Sequence, residues 1–168
     1  MTSKTKKIQK GEILLRAGDI ANYGYKVLSG CLKSYVVDGS GKEHIIQFAP
    51  EQWIISDLDS LTNQIPSLIF IEACENSEVL ILPKSRYEDD NTLEKSILID
   101  HTIKFRNNLI ATNKRIIGLL SATAEKRYKD FSEIYPTLVQ RLPQKLIASY
   151  IGITPEYLSE IRAKIAKY

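Results

Sequence analysis

The stretch from Leu142 to Lys164 constrains this chain most, because it is patterned as two short helices joined by a sharp turn. Pro143 suits the first position of the first helix, where its missing N–H would have no intrahelical partner. Gly152 stands at the turn, where a left-handed backbone costs glycine nothing. Thr154 is a good N-cap for the second helix, and Pro155 suits that helix's first position. This order of residues predicts a compact helix-turn-helix.

The small and apolar residues of this stretch have a specific spacing. Seven constrained residues fall within fifteen positions: Ile147, Ala148, Ile151, Gly152, Ile153, Leu158 and Ile161. Together they resemble the bacterial helix-turn-helix of transcription regulators, whose second helix enters the major groove of DNA. An ordinary helical hairpin is the alternative, and we prefer DNA binding.

Candidate DNA contacts follow from the polar side of the second helix. Glu156 can accept a hydrogen bond from a cytosine amino group, and hydroxyl groups can reach phosphate or base. The basic side chains are phosphate partners, or simply a solvated helix face. The predicted DNA-binding residues are Thr154, Glu156, Tyr157, Ser159, Glu160, Arg162 and Lys164.

Charge is unevenly distributed along the 168 residues. Residues 101 to 168 carry 12 Lys and Arg against 5 Asp and Glu, a net +7, whereas residues 1 to 100 carry 11 against 15, a net −4. A basic module suits DNA, because neutralising phosphates supplies most sequence-independent affinity. No apolar run approaches the ~20 residues that cross a bilayer. No secretory signal is recognisable, and Cys31 and Cys74 lie far apart, so we expect a cytoplasmic protein with two free thiols and no membrane partner.

Residues 11 to 83 are typical of a small all-β unit. Short apolar runs alternate with turn residues such as Gly18-Asp19 and Asp38-Gly39-Ser40-Gly41. The predicted strands are 12–15, 24–28, 32–37, 44–48, 53–55, 68–73 and 78–82. Their close spacing predicts an antiparallel β-barrel or jelly roll.

A long helix is predicted next, with Asn91 as N-cap and Glu94 in a capping box. Two apolar stripes run along it, Ile99, Ile103, Ile110 and Ile117 in one and Leu98, Phe105, Leu109, Ile116 and Leu120 in the other. One stripe can pack on the barrel while the other meets a second copy, so we predict a homodimer through the first stripe. Ser121 or Thr123 caps a further helix whose buried side is Tyr128, Phe131 and Ile134. The predicted class is α+β, with a β-barrel at 1–90, the dimerisation helix at 91–120 and the helix-turn-helix domain at 121–168.

This order of parts resembles the Crp/Fnr-type transcription regulators. The resemblance rests on KGEILLRAGD (Lys10 to Asp19), YKVLSGCLKSYVVDGSGKE (Tyr25 to Glu43) and SATAEKRYKDF before the helix-turn-helix. It implies a cyclic-nucleotide-binding-like barrel, a dimer that binds a two-fold symmetric operator in double-stranded DNA, and a small-molecule effector between barrel and long helix.

The chain also departs from that family. Cyclic-nucleotide-binding members hold the phosphate with an Arg, because a buried phosphate needs a charged partner. Here no Lys or Arg stands between Lys42 and Lys84, while seven acids do: Glu43, Glu51, Asp57, Asp59, Glu72, Glu75 and Glu78. We therefore expect an unknown effector other than cyclic AMP. Two cysteines cannot supply the four thiolates of an iron–sulfur cluster, so no cofactor is expected and both are read as buried barrel residues.

Alternatives to a DNA-binding regulator remain at this level. Family members usually place Arg where Glu160 stands, and an acid there is repelled by phosphates. A dimeric interaction module that has lost sequence-specific DNA binding is therefore the first alternative. A cupin-like metal enzyme is the weak one, since only His44 and His101 are available as imidazole ligands and no catalytic motif is present. We predict a protein that is not an enzyme.

Overall fold

The computed structural model describes residues 4–84 and 95–166, and the chain forms two compact units, Met1–Thr102 and Ile103–Tyr168. The predicted cap residues Asn91 and Glu94 and the side chain of Leu98 lie outside the described residues. The three-part division at residues 90 and 120 stays a prediction. No helix in the described part of the chain is long and apolar enough to cross a membrane.

The first unit is a two-sheet β structure, as predicted. One sheet has the strand order β1-β8-β3-β6 and the other β2-β7-β4-β5, and all pairs are antiparallel. The elements are β1 Lys4–Ile8, β2 Ile13–Leu15, β3 Tyr23–Ser29, β4 Leu32–Val37, β5 Glu43–Ala49, β6 Ile54–Ile55, α1 Leu58–Asn63, β7 Phe70–Ala73 and β8 Ser77–Pro83. Its core joins Val27, Ile55 and Val79 of one sheet to Leu32 and Ile71 of the other. The sheets therefore face each other across an apolar interior.

Two elements of this unit were missed by the sequence interpretation. Strand β1 pairs with β8 over five residues, yet only Ile8 of KTKKI is buried, so the segment lacks the alternation that signals a strand. Helix α1 begins where the Asp57 side chain accepts from the Ser60 backbone N–H. The strand predicted at 68–73 begins only at Phe70, and Leu68 is exposed.

The second unit is helical. Its elements are the long helix α2 Lys95–Ser121, which begins in the first unit, then α3 Ala124–Ile134, α4 Leu138–Arg141, α5 Gln144–Ile151 and α6 Pro155–Ile165. Thr123, not Ser121, is the N-cap of α3, with its side chain accepting from Lys126 N–H. Helix α4 was not predicted.

Two predictions in this unit, the burial of Ile134 and the helical position of Pro143, were wrong. Ile134 is 44% exposed, because the buried side of α3 is carried by Ala124, Tyr128 and Phe131. Pro143 is the N-cap of α5, not its first helical residue, since its ψ of 139° is extended. The unit's aromatic centre is Phe131, Tyr135 and Tyr150, with ring centroids 5.3 to 6.0 Å apart.

Candidate nucleic-acid interface

Helices α5 and α6 form the predicted helix-turn-helix, and Gly152 makes the turn. Its φ of +73° is left-handed. Gly152 N–H donates to Ser149 O at 3.3 Å, and Ile153 N–H donates to Ala148 O at 3.0 Å, the paired bonds of a Schellman motif. A Cβ at residue 152 would lie 3.0 Å from Leu119 Cδ2 of α2. Glycine is thus favoured here both by backbone conformation and by close packing.

The inner face of the motif is closed. Ile147, Ala148 and Leu158 have no exposed surface, and Ile161 is almost fully buried. Thr154 caps α6 by accepting from Tyr157 N–H at 3.2 Å, as its place before Pro155 predicts. The helix-turn-helix inferred from spacing is confirmed in its turn at Gly152 and its cap at Thr154. Its buried positions are Ile147, Ala148, Ile151, Leu158 and Ile161, whereas Ile153 is only half-buried.

The outer face of α6 carries the predicted DNA-binding residues. Six of them are exposed and Arg162 is half-buried; the exposed ones are Thr154, Glu156, Tyr157, Ser159, Glu160 and Lys164. The structure therefore brings all seven onto one exposed helix and its cap. Their contact with DNA stays a prediction.

Two of these side chains already have partners within the unit. Ser159 Oγ lies 2.9 Å from Gln144 Oε1 of α5 and 3.0 Å from Pro155 O. Lys164 stands four residues after Glu160, a spacing at which the two could pair along α6. Lys164 Nζ lies instead 3.8 Å from Glu125 Oε1 of α3. Among the described residues, neither Glu156 nor Glu160 has an ion-pair partner. The outer face thus presents two uncompensated carboxylates.

The C-terminal end of α5 has a complete set of hydrogen bonds. A helix leaves its last four carbonyl groups without intrahelical donors. The turn supplies donors for Ala148 O and Ser149 O. Two arginines that the sequence interpretation did not single out donate to the other two carbonyl groups, Tyr150 O and Ile151 O.

Arg115 of α2 and Arg127 of α3 reach the end of α5 from two sides. Arg115 Nη2 and Nε donate to Tyr150 O at 2.8 and 3.2 Å, and its guanidinium carbon lies 4.3 Å from the centroid of the Tyr150 ring. Arg127 Nε donates to Ile151 O and its Nη1 to Ala122 O, both at 2.8 Å. Burial lowers the pKa of Arg115 and raises that of Tyr150. We call these two residues the arginine clamp.

A cavity of about 460 Å³ adjoins the clamp inside the second unit. Both clamp residues line it, together with apolar side chains of α2 and α3 and the paired Lys126 and Asp130. Cation, apolar wall and helix end therefore meet at one place.

The predicted dimer stripe is exposed in the single chain. Ile99, Ile103, Ile110 and Ile117 are 51%, 41%, 46% and 63% exposed. The described members of the second stripe, Phe105, Leu109, Ile116 and Leu120, are also exposed, and Leu120 at its end reaches 83%. The described residues of both stripes are thus exposed in the single chain.

The first unit holds a buried cation, which the sequence interpretation also missed. The Lys33 side chain is 4% exposed, and its Nζ lies 2.9 Å from Glu43 Oε2 and 3.5 Å from Glu72 Oε1. Tyr35 donates to Glu72 Oε2 at 2.9 Å. Burial is the main cause of the raised pKa of Tyr35, and this hydrogen bond raises it further. Cys31 and Cys74 are buried thiols that form no disulfide, as predicted.

Comparison with known proteins assigns the chain to a family. Residues 5–89, just over half of the chain, match the cyclic nucleotide-binding domain. The fumarate and nitrate reduction regulatory protein of Vibrio cholerae is 30% identical over 98% of this chain and 69% of its own length. The chain belongs to the Crp/Fnr family of transcription regulators. The resemblance inferred from the sequence is confirmed.

Other Crp/Fnr relatives agree. The anaerobic regulatory protein of Pasteurella multocida is 29% identical over 98% of this chain, which spans 63% of that relative's length. The structure of FixK2 from Bradyrhizobium japonicum has the same fold, with a TM-score of 0.82 at 17% identity over 99% of this chain and 86% of that one. The relatives are regulators and not enzymes, so the expectation against a cupin-like enzyme is confirmed.

Proposed function

We propose that this Crp/Fnr protein is a homodimer that binds a two-fold symmetric operator in duplex DNA, with α6 of each copy in the major groove. The observation that carries the proposal is the closed inner face and open outer face of the helix-turn-helix. In helix-turn-helix proteins, the second helix lies in the major groove, and here that helix is capped by Thr154 and exposes its outer face.

The dimer seam in this proposal is α2. Ile103, Ile110 and Ile117 recur every seven residues and are all exposed. An apolar heptad repeat on an exposed helix favours pairing with a second copy of the same helix. Two-fold pairing would place two α6 helices on successive half-sites, about one helical turn of DNA apart.

The proposed DNA affinity is weak and dominated by phosphate contacts. The net +7 of residues 101 to 168 supplies attraction to the duplex. Glu156 and Glu160 oppose it, because they place negative charge where the groove is most negative. Directed guanine contact is lost, while nonspecific attraction remains.

The proposed effector of the barrel is a small molecule other than cyclic AMP. The buried Lys33 ammonium is already paired with Glu43 and Glu72, so it is not available as a countercharge for a cyclic phosphate. The acids that follow it in sequence would repel the phosphate.

Fluorescence anisotropy with a labelled duplex at two salt concentrations tests DNA binding. Glu160→Arg should tighten binding and steepen the salt dependence, and a guanine contact would add ~1 to 3 kcal/mol. Glu133→Arg is the matched control, because it makes the same charge change at an exposed position of α3. If both variants gain the same DNA affinity, the gain comes from net charge alone. Arg162→Ala should weaken binding if Arg162 holds phosphate, and otherwise leave it unchanged.

A dimeric interaction module without sequence-specific DNA binding is the second candidate. The two uncompensated carboxylates of α6 favour it. If the wild-type protein shows no binding even at low salt, this candidate replaces the DNA-binding proposal.

A further inference from the structure

We propose that Arg115 is a positioning residue for DNA binding, which holds the helix-turn-helix in a fixed orientation on the long helix. The proposal rests on the proposed DNA-binding function and assigns it a residue outside the DNA-facing surface. Arg115 lies in α2, whereas the carbonyl oxygen and the ring that it contacts both belong to Tyr150, at the end of α5.

The contact acts at the point that determines the direction of α6. Tyr150 is two residues before Gly152, where the chain turns into the second helix. Because Arg115 donates twice to Tyr150 O and stacks on the Tyr150 ring, it fixes both the position and the rotation of this helix end. A lysine at this position could supply only a point charge, without the planar fork.

Packing alone would not replace this contact. The guanidinium lies on the wall of the cavity described above, so its loss enlarges an existing space instead of bringing apolar surfaces together. Arg127 would still hold Ile151 O from α3, but the hydrogen bonds from α2 to the end of α5 would be gone. We therefore expect α5 and α6 to remain folded and to sample a wider range of orientations on α2.

The matched control is the neighbouring residue. Lys114→Ala removes one positive charge from the same turn of α2 at an exposed position. Any effect of net charge or helix propensity on DNA binding is shared by Lys114→Ala and Arg115→Ala. Only Arg115→Ala removes hydrogen bonds to α5.

Distances between spin labels test the positioning directly. Cysteines are introduced at the exposed Thr112 and Ala163, the buried Cys31 and Cys74 are left in place, and excess unlabelled protein suppresses signals between copies. Arg115→Ala should broaden the distribution of distances between the labels about twofold, whereas Lys114→Ala should leave it narrow. Arg115→Lys should fall between them, and it carries the test if Arg115→Ala does not fold. An unchanged width in every variant overturns the proposal.

DNA affinity provides the second measurement. If the competent orientation falls to about a tenth of the population, the dissociation constant rises about tenfold. The slope of affinity against salt should stay unchanged, because Arg115 makes no phosphate contact in this arrangement. A changed slope with a narrow distance distribution would make Arg115 a phosphate contact and overturn the proposal. Absence of DNA binding in the wild type would refute the proposed function, while the label distances would still decide whether Arg115 orients α5.

Discussion

Replacing Gly152 with alanine should loosen the helix-turn-helix through two separate effects. The φ of +73° places an L-residue in the left-handed region, at a cost of roughly 1–2 kcal/mol. The new Cβ would also lie 3.0 Å from Leu119 Cδ2, so the leucine must shift by a few tenths of an ångström. An off-rotamer side chain adds about 0.5–1.5 kcal/mol. Together the two contributions should lower the stability of the helix-turn-helix by about 1.5–3.5 kcal/mol.

Gly41 provides the matched control for this substitution. It also has a left-handed backbone, with φ of +82°, but a Cβ there meets nothing within 4 Å. Gly41→Ala should therefore show only the backbone cost, and the effect of alanine on the unfolded chain is the same at both sites. Gly152→Asn keeps the Cβ contact and lowers the backbone cost, because asparagine enters this region more readily.

Native-state hydrogen exchange measures the result locally. Gly152→Ala should speed opening of the α5 and α6 amides by at least tenfold, since about 1.4 kcal/mol corresponds to a factor of ten. The barrel amides should be unaffected. If the alanine variant exchanges at the wild-type rate, neither the strain nor the Leu119 contact limits this turn, and the reasoning is refuted.

Three further outcomes are expected. Ile110→Asp would bury a charge at the proposed apolar seam, so this variant should be a monomer or an aggregate in light scattering. Thr112→Asp on the same helix should leave the dimer intact. If the Ile110→Asp variant is still a dimer, the seam lies elsewhere. Calorimetry with cyclic AMP and cyclic GMP should show no binding. A micromolar dissociation constant, a binding free energy of ~−8 kcal/mol, would contradict the proposal that the barrel does not bind a cyclic nucleotide. Hydrogen bonds from Ser40 and His44 hold the pKa of Asp38 well below its usual value of 3.8. The Asp38 carboxylate therefore contributes its full stabilisation of the fold above about pH 4. This contribution is lost as the pH falls further. Asp38→Asn should therefore lower the thermal midpoint at pH 6 with a difference that shrinks below pH 4, and a constant difference would exclude this origin.

The sequence predicted the helix-turn-helix well because its signals are local. Caps, a turn glycine and apolar spacing all fall within about twenty residues, and each has its own physical cause. Strand β1 escaped prediction because its pairing with β8 spans more than sixty residues and leaves four of its five side chains exposed.

The arginine clamp and Lys33 could not be found in the same way. Arg115 is 35 residues from Tyr150, and a basic residue on a helix gives no sign that it will turn inward. Lys33 is the only charged residue of the mainly apolar strand β4. Its sequence context is compatible with a buried ion pair but does not identify Glu43 as the partner. Partners of buried charges are set by tertiary contacts, which periodicity does not encode.

Strand β1 ends its sheet, and its composition controls what can be added beyond it. An outermost strand offers unpaired backbone groups on which another chain can build. Lys4, Lys6 and Lys7 are exposed on β1, and Lys6 is paired with Glu12 at 2.8 Å. An approaching copy would bring the ammonium groups of its own Lys4 and Lys7 against the same groups here. Like-charge repulsion thus discourages the barrels from joining edge to edge into open-ended fibres. The β1 edge therefore does not compete with the proposed α2 seam, a two-fold contact that closes after two copies.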